Sequence, residues 1–238
     1  MDNAQSVVEL SWEQYVERVI AQDQRPLRNA KVSPLQVLPD SGRWSYLDEL
    51  AACQRCFDQT ASLIEMPPDD LKRVTGILAP STERWFGLML DIGVRFKSVV
   101  NRRSHELAQW LDSIPRSGPI SASQVEQYLE GMIAMPGVTI STATRLLAMK
   151  RPDYAVPVTL SNVAGFRSDS RIGPRCPLPT ILNKQDGEEL RSLARQYAAM
   201  LQQLWKAPWW QAPPPDKGLE ATIWSGRVAL VDALFYDP

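Results

Sequence analysis

One histidine and three cysteines stand in a chain of 238 residues. A lone imidazole leaves no room for most nucleophile–histidine hydrolase arrangements, so any such chemistry would rest on carboxylates alone. Three cysteines do not make a disulfide framework in a chain this long. No apolar run approaches the roughly 20 residues a membrane span needs. The opening MDNAQSVVELSWEQ has neither a basic n-region nor an apolar h-region, so a signal peptide is not expected and the cytoplasm is the expected location. Net charge is −1. That excludes coating nucleic acid by bulk charge but leaves room for a local basic patch. Phosphate-loop, dinucleotide-fingerprint, Gly-x-Ser-x-Gly and His-Glu-x-x-His patterns are missing. So are internal repeats and sustained heptads. The one strand-like piece, 155–160, contains Pro157.

What is present is helical. Hydrophobic residues make up 44%, enough for a core, and eight tryptophans and nineteen prolines are both high. Apolar residues recur near a period of 3.6. Ser11 and Gln14 open a first helix with Trp12, Tyr15, Val16, Val19 and Ile20 inward. Further helices are expected over 45–64, 68–78, 82–100, after Ser104, over 187–206 and over 224–236. The chain is read as an all-α, compact multi-helix domain over 1–238. A long irregular loop is expected at 163–185 and a Trp/Pro-rich segment at 205–223.

The most informative stretch is 121–151, read as helix, tight turn, helix. Ser121 and Ser123 are both candidate N-caps. Pro136-Gly137 stops the first helix, and Ser141 or Thr142 recaps the second. The run Met135-Pro136-Gly137-Val138-Thr139-Ile140-Ser141-Thr142-Ala143, followed by Pro157-Val158-Thr159-Leu160-Ser161-Asn162, resembles the helix-hairpin-helix region of the DNA glycosylase superfamily. The resemblance covers about forty residues directly. It implies that the hairpin holds double-stranded DNA by its backbone, helped by a monovalent cation, with no other cofactor. Thr139 stands where that family has a second turn glycine, and a β-branched residue fits positive φ poorly. The family's catalytic lysine falls on Ser141 and its aspartate on Thr159 or Leu160, so neither is kept in kind. Asp153 and Asp169 are the nearest candidate carboxylates.

From the residues themselves, amides near Gly137, Thr139 and Ser141 could cradle a phosphate, helped by hydroxyls of Thr139, Ser141 and Thr142. A basic rim is available from Arg95, Lys97, Arg102 and Arg103, from Arg145, Lys150 and Arg151, and from Arg167, Arg171 and Arg175. Cys53, Cys56, His105 and Cys176 together are one candidate zinc set, against the alternative of buried thiols. Trp205, Trp209 and Trp210 either pack on the body or form a docking surface for a protein partner. The expectation is a non-catalytic helix-hairpin-helix DNA-binding protein in a larger DNA-processing, repair or defence assembly. The alternatives are an active glycosylase or lyase with a displaced carboxylate, and a helical adaptor that binds another protein.

Overall fold

Helix-period stripes become helices here where a polar cap starts them and proline or glycine stops them. The computed structural model describes residues 5–23, 46–77, 93–177 and 187–235, and their regular structure is helical. Helix α1 (Trp12–Asp23) starts on the expected box: the Ser11 amide donates to Gln14 Oε1 and the Gln14 amide to Ser11 Oγ. Helix α2 (Tyr46–Gln59) and helix α3 (Pro68–Thr75) follow, and Gly76 at φ 73° closes α3. Then come α4 (Gly93–Arg102) and α5 (Ser104–Asp112). Next are α6 (Ala122–Ile133) and α7 (Ile140–Lys150). Of the two candidate caps for α6, Ser121 takes the role, with Gln124 completing the box. The chain ends in α8 (Val163–Ser168), α9 (Gly187–Leu204), α10 (Pro208–Gln211), α11 (Leu219–Ser225) and α12 (Val231–Phe235).

Helix α6 lies along α9, and both bury a full apolar stripe, with Val125, Tyr128, Leu129 and Met132 on one and Leu193, Tyr197, Leu201 and Leu204 on the other. Helix α7 sits at the centre against α2, α3 and α6. The two ends of the described chain close on each other, since α1 contacts α10, α11 and α12. Trp209 is fully buried at that closure. Its ring stacks on Tyr15 at 4.4 Å, and its Nε1 donates to the Val7 carbonyl at 2.8 Å.

Three expectations change. The helix expected over 224–236 is two short helices broken at Gly226. An added Cβ there would meet Leu50 Cδ2 at 2.0 Å, and the amides of Val228 and Ala229 turn instead to the Pro152 carbonyl. The 155–160 piece joins no sheet among the described residues. It lies against helices instead, its Val158 amide donating to Thr144 Oγ1 and its Val156 carbonyl accepting from Tyr197. The expected loop 163–185 holds α8 and a 3-10 turn at Gly173–Arg175, with Phe166 and Ile172 buried; 178–186 lie outside the described residues. Residues 78–92, with most of the expected 82–100 helix, also lie outside them, as do residues 24–45.

Candidate functional site

The α6–α7 turn is built by three residues with different tasks. Pro136 is exposed at its tip, and Gly137 adopts φ 95°, which a β-carbon would strain. The turn also touches α4, where a Cβ on Gly137 would stand 2.9 Å from Val99 Cγ2 and 3.2 Å from the Arg95 carbonyl. Thr139 is the N-cap of α7, extended at φ −117°. Its position therefore needs no glycine, and the concern raised by a β-branched residue there does not arise. Ser141 and Thr142, the two candidate caps, lie inside the first turn of α7, where Thr142 completes a capping box with Thr139.

Every residue of α7 is buried, polar ones included. This relocates the cations expected on the DNA side. Arg145 is 3% exposed, 3.9 Å from Glu49 Oε1, and donates to the Arg73 carbonyl at 3.2 Å. Lys150 donates to the Leu111 carbonyl at 2.8 Å and lies 3.5 Å from Asp112, and burial pulls its pKa down. Arg151 is 1% exposed; it donates to Asp153, Pro115 and Gly118 and lies over the Tyr154 ring. These three guanidinium and ammonium groups tie helices and turns together, and none reaches the surface in this arrangement. Their apolar neighbours gave no warning, because a helix buried all round reads at its ends like an amphipathic one.

Surface cations beside the turn come from α4. Arg95, Lys97 and Arg102 are exposed, and α4 contains no acidic residue. Arg103 points to Glu106, 2.5 Å away, and their hydrogen bond lowers the Glu106 pKa. The loop cations are further along the chain. Arg167 is exposed, Arg171 pairs with Glu9 at 3.0 Å, and Arg175 donates to the Arg171 carbonyl.

Neither candidate carboxylate is poised for chemistry. Asp153 is held by Arg151 through two 2.9 Å bonds. Asp169 is a buried loop organiser that accepts from Ser6 Oγ and from the amides of Val7, Arg171 and Ile172. Two other groups are more suggestive. Ser141 Oγ and Thr159 Oγ1 are buried and have no hydrogen-bond partner among the described residues. Between them, Thr144 Oγ1 donates to the Ile140 carbonyl at 2.8 Å and accepts from the Val158 amide at 3.0 Å, tying the first turn of α7 to the residue before Thr159. Beyond Thr159, Asn162 accepts from the Thr159 amide at 2.8 Å and donates to the carboxylate of Asp232, which is fully buried. The sequence reading missed Asn162 and Asp232 as a pair. The available signal was Asp232 itself, a lone acid inside the apolar run from Val228 to Phe235.

The zinc candidates do not meet. No cluster of three or more His, Cys, Asp or Glu side chains with metal-binding geometry occurs among the described residues. Cys53, Cys56 and Cys176 are buried free thiols, and His105 is exposed on α5. The Trp/Pro segment packs on the body. Trp205 Nε1 donates to the Tyr154 carbonyl and Trp210 Nε1 to that of Asp153, while Trp209 is enclosed. No helix among the described residues is long and apolar enough to cross a membrane. Comparison with protein-family models, curated proteins and solved structures finds no match to the chain.

Proposed function

We propose that this chain is a non-catalytic DNA-binding protein that grips the duplex backbone through the 134–139 turn and the cationic surface of α4. The observation that carries this is the contact between Gly137 and the Arg95 backbone. It sets a tight turn and a helix N-terminus against the side of α4 that carries Arg95 and Arg102, while Lys97, two residues from both contact points, stands on another side of the same helix; neither Lys97 nor Arg102 forms an ion pair among the described residues. The amides of Val138, Thr139 and Thr142 are spent within the turn and its capping box, so the helix dipole and the adjacent cations carry the phosphate contact and its salt-sensitive part. This reading accords with the resemblance of the turn to a helix-hairpin-helix. It moves the cationic contact from α7, whose charges face inward, to α4. Serine at 141 and threonine at 159 support a binding rather than a cleaving role, in a larger DNA-processing, repair or defence assembly. The test is duplex affinity as a function of salt on unrelated sequences. Comparable affinities that fall as salt rises support backbone contact, whereas affinity independent of salt refutes it.

A second proposal is favoured by one observation, the buried Asp232 carboxylate held by Asn162 next to Thr159. It would be the displaced carboxylate of a glycosylase acting on an extruded base. Release of free base from damaged duplex, lost in Asp232→Asn with the fold retained, would establish it over the binding role. No release from a broad panel of damaged duplexes would refute it.

A further inference from the structure

Away from the turn, α1 lines an open groove of about 670 Å³ through Trp12, Glu13, Val16, Glu17 and Ile20, with Glu220 of α11 at its edge. Trp12, Val16 and Ile20 follow each other at four-residue spacing along about 12 Å of helix; Val16 is buried, and Trp12 and Ile20 are half-buried against the core and offer their outer edges to the groove. Glu13 and Glu17 flank that row on α1, and Glu220 stands across from them on α11. The floor is rigid. Trp12 Nε1 donates to Glu220 Oε2 at 3.2 Å, and the Trp12 ring stacks on Tyr15, which stacks on Trp209. The Ser11 hydroxyl bonds Glu13 and lowers its pKa, favouring the charged form.

From this we infer that the groove docks a basic amphipathic helix of a different protein. Its apolar residues, at helical spacing, would lie on Trp12, Val16 and Ile20, and its flanking lysines or arginines would face Glu13, Glu17 and Glu220. Charge complementarity selects this occupant. An acidic rim repels nucleic acid and acidic peptides, and it is opposite in sign to the α4 surface proposed for DNA. A floor already ordered by ring stacking needs little further ordering on binding. The two faces would let one chain hold a duplex and a partner protein together.

The test uses the full chain and two synthetic helical peptides, one of leucine and lysine and its counterpart of leucine and glutamate, with peptide anisotropy as the readout. The lysine peptide is expected to bind, and the glutamate peptide is not. Combined Glu13→Lys, Glu17→Lys and Glu220→Lys should weaken the lysine peptide at least tenfold. Reversal of three acids elsewhere (Glu65, Glu126 and Asp216) changes net charge equally and should leave binding within about twofold. Equal loss in both variants would mean bulk attraction and overturn the inference. So would equal binding of both peptides. Self-association of the chain alone that the groove reversal abolishes would make a second copy the occupant, again overturning it. Duplex affinity is measured in parallel, so failure here and failure of the DNA proposal are separately visible.

Discussion

Thr139 and Thr142 cap each other where the two hairpin helices meet. The Thr139 amide donates to Thr142 Oγ1 at 2.9 Å, and the Thr142 amide donates to Thr139 Oγ1 at 3.3 Å. Replacing an N-cap threonine with alanine costs about 1 kcal/mol. Thr139→Ala and Thr142→Ala should each lower stability by about that amount in chemical denaturation. The double variant should lose close to the sum, because alanine keeps both amides and each substitution removes a different amide-to-hydroxyl bond; the only shared contact is that between the two hydroxyls at 3.4 Å.

Gly137 should tolerate no side chain. Its φ of 95° is unfavourable for any other residue, and the Cβ of an alanine would press on Val99 and on the Arg95 carbonyl. Gly137→Ala is expected to destabilise by more than about 1 kcal/mol. Because the strain falls on the contact between turn and α4, duplex affinity should drop further than stability alone would explain. Affinity unchanged in a folded Gly137→Ala protein would separate the turn from DNA contact.

Stability and affinity should divide cleanly between two sets of cations. Arg145 belongs to a buried group with Glu49 and Arg73, in which Arg73 donates to Glu49 at 2.9 Å. Arg145→Ala leaves part of that carboxylate's charge uncompensated and should cost about 3 kcal/mol or more. Lys97→Ala, on the surface of α4, should change stability by less than about 0.5 kcal/mol while weakening duplex binding. Thermal melts and binding isotherms on the same two variants check both halves.

The thiols should be quiet in the folded protein. Burial pushes Cys56 from an ordinary 9.0 to about 11 and Cys176 to about 12. A thiolate-selective reagent near neutral pH should react slowly with the native chain and with all three cysteines once it is unfolded. The folded state holds these protons more tightly than the unfolded state. Their contribution to stability is therefore complete below pH 9.0 and is lost as pH rises through about 11 and then 12. Chemical denaturation midpoints measured upward from pH 9.0 should fall, and less so in Cys56→Ala.

The all-α class, the Ser11 and Ser121 boxes and the position of the turn were legible because they follow from local periodicity and capping. The fate of individual charges was not. Arg145, Lys150 and Arg151 look like a solvated basic run, and only the tertiary setting of α7 shows that carbonyls of Arg73, Leu111, Pro115 and Gly118 claim them. Sequence likewise does not show which turn residue takes positive φ: it is Gly137, and Thr139 is extended. The break at Gly226 depends on Leu50 and Pro152, which are far away in sequence. Burial of Trp209 depends on Tyr15 and Val7 in the same way.

The most direct test is the salt dependence of duplex affinity for the native chain and for a variant carrying Lys97→Glu and Arg102→Glu. Binding by the native chain should fall steeply and similarly on unrelated sequences as salt rises. The variant should bind at least tenfold more weakly, with a shallower salt slope, and keep its thermal stability. Salt-independent affinity, or equal affinity of variant and native chain across the titration, would contradict backbone contact through the turn and α4.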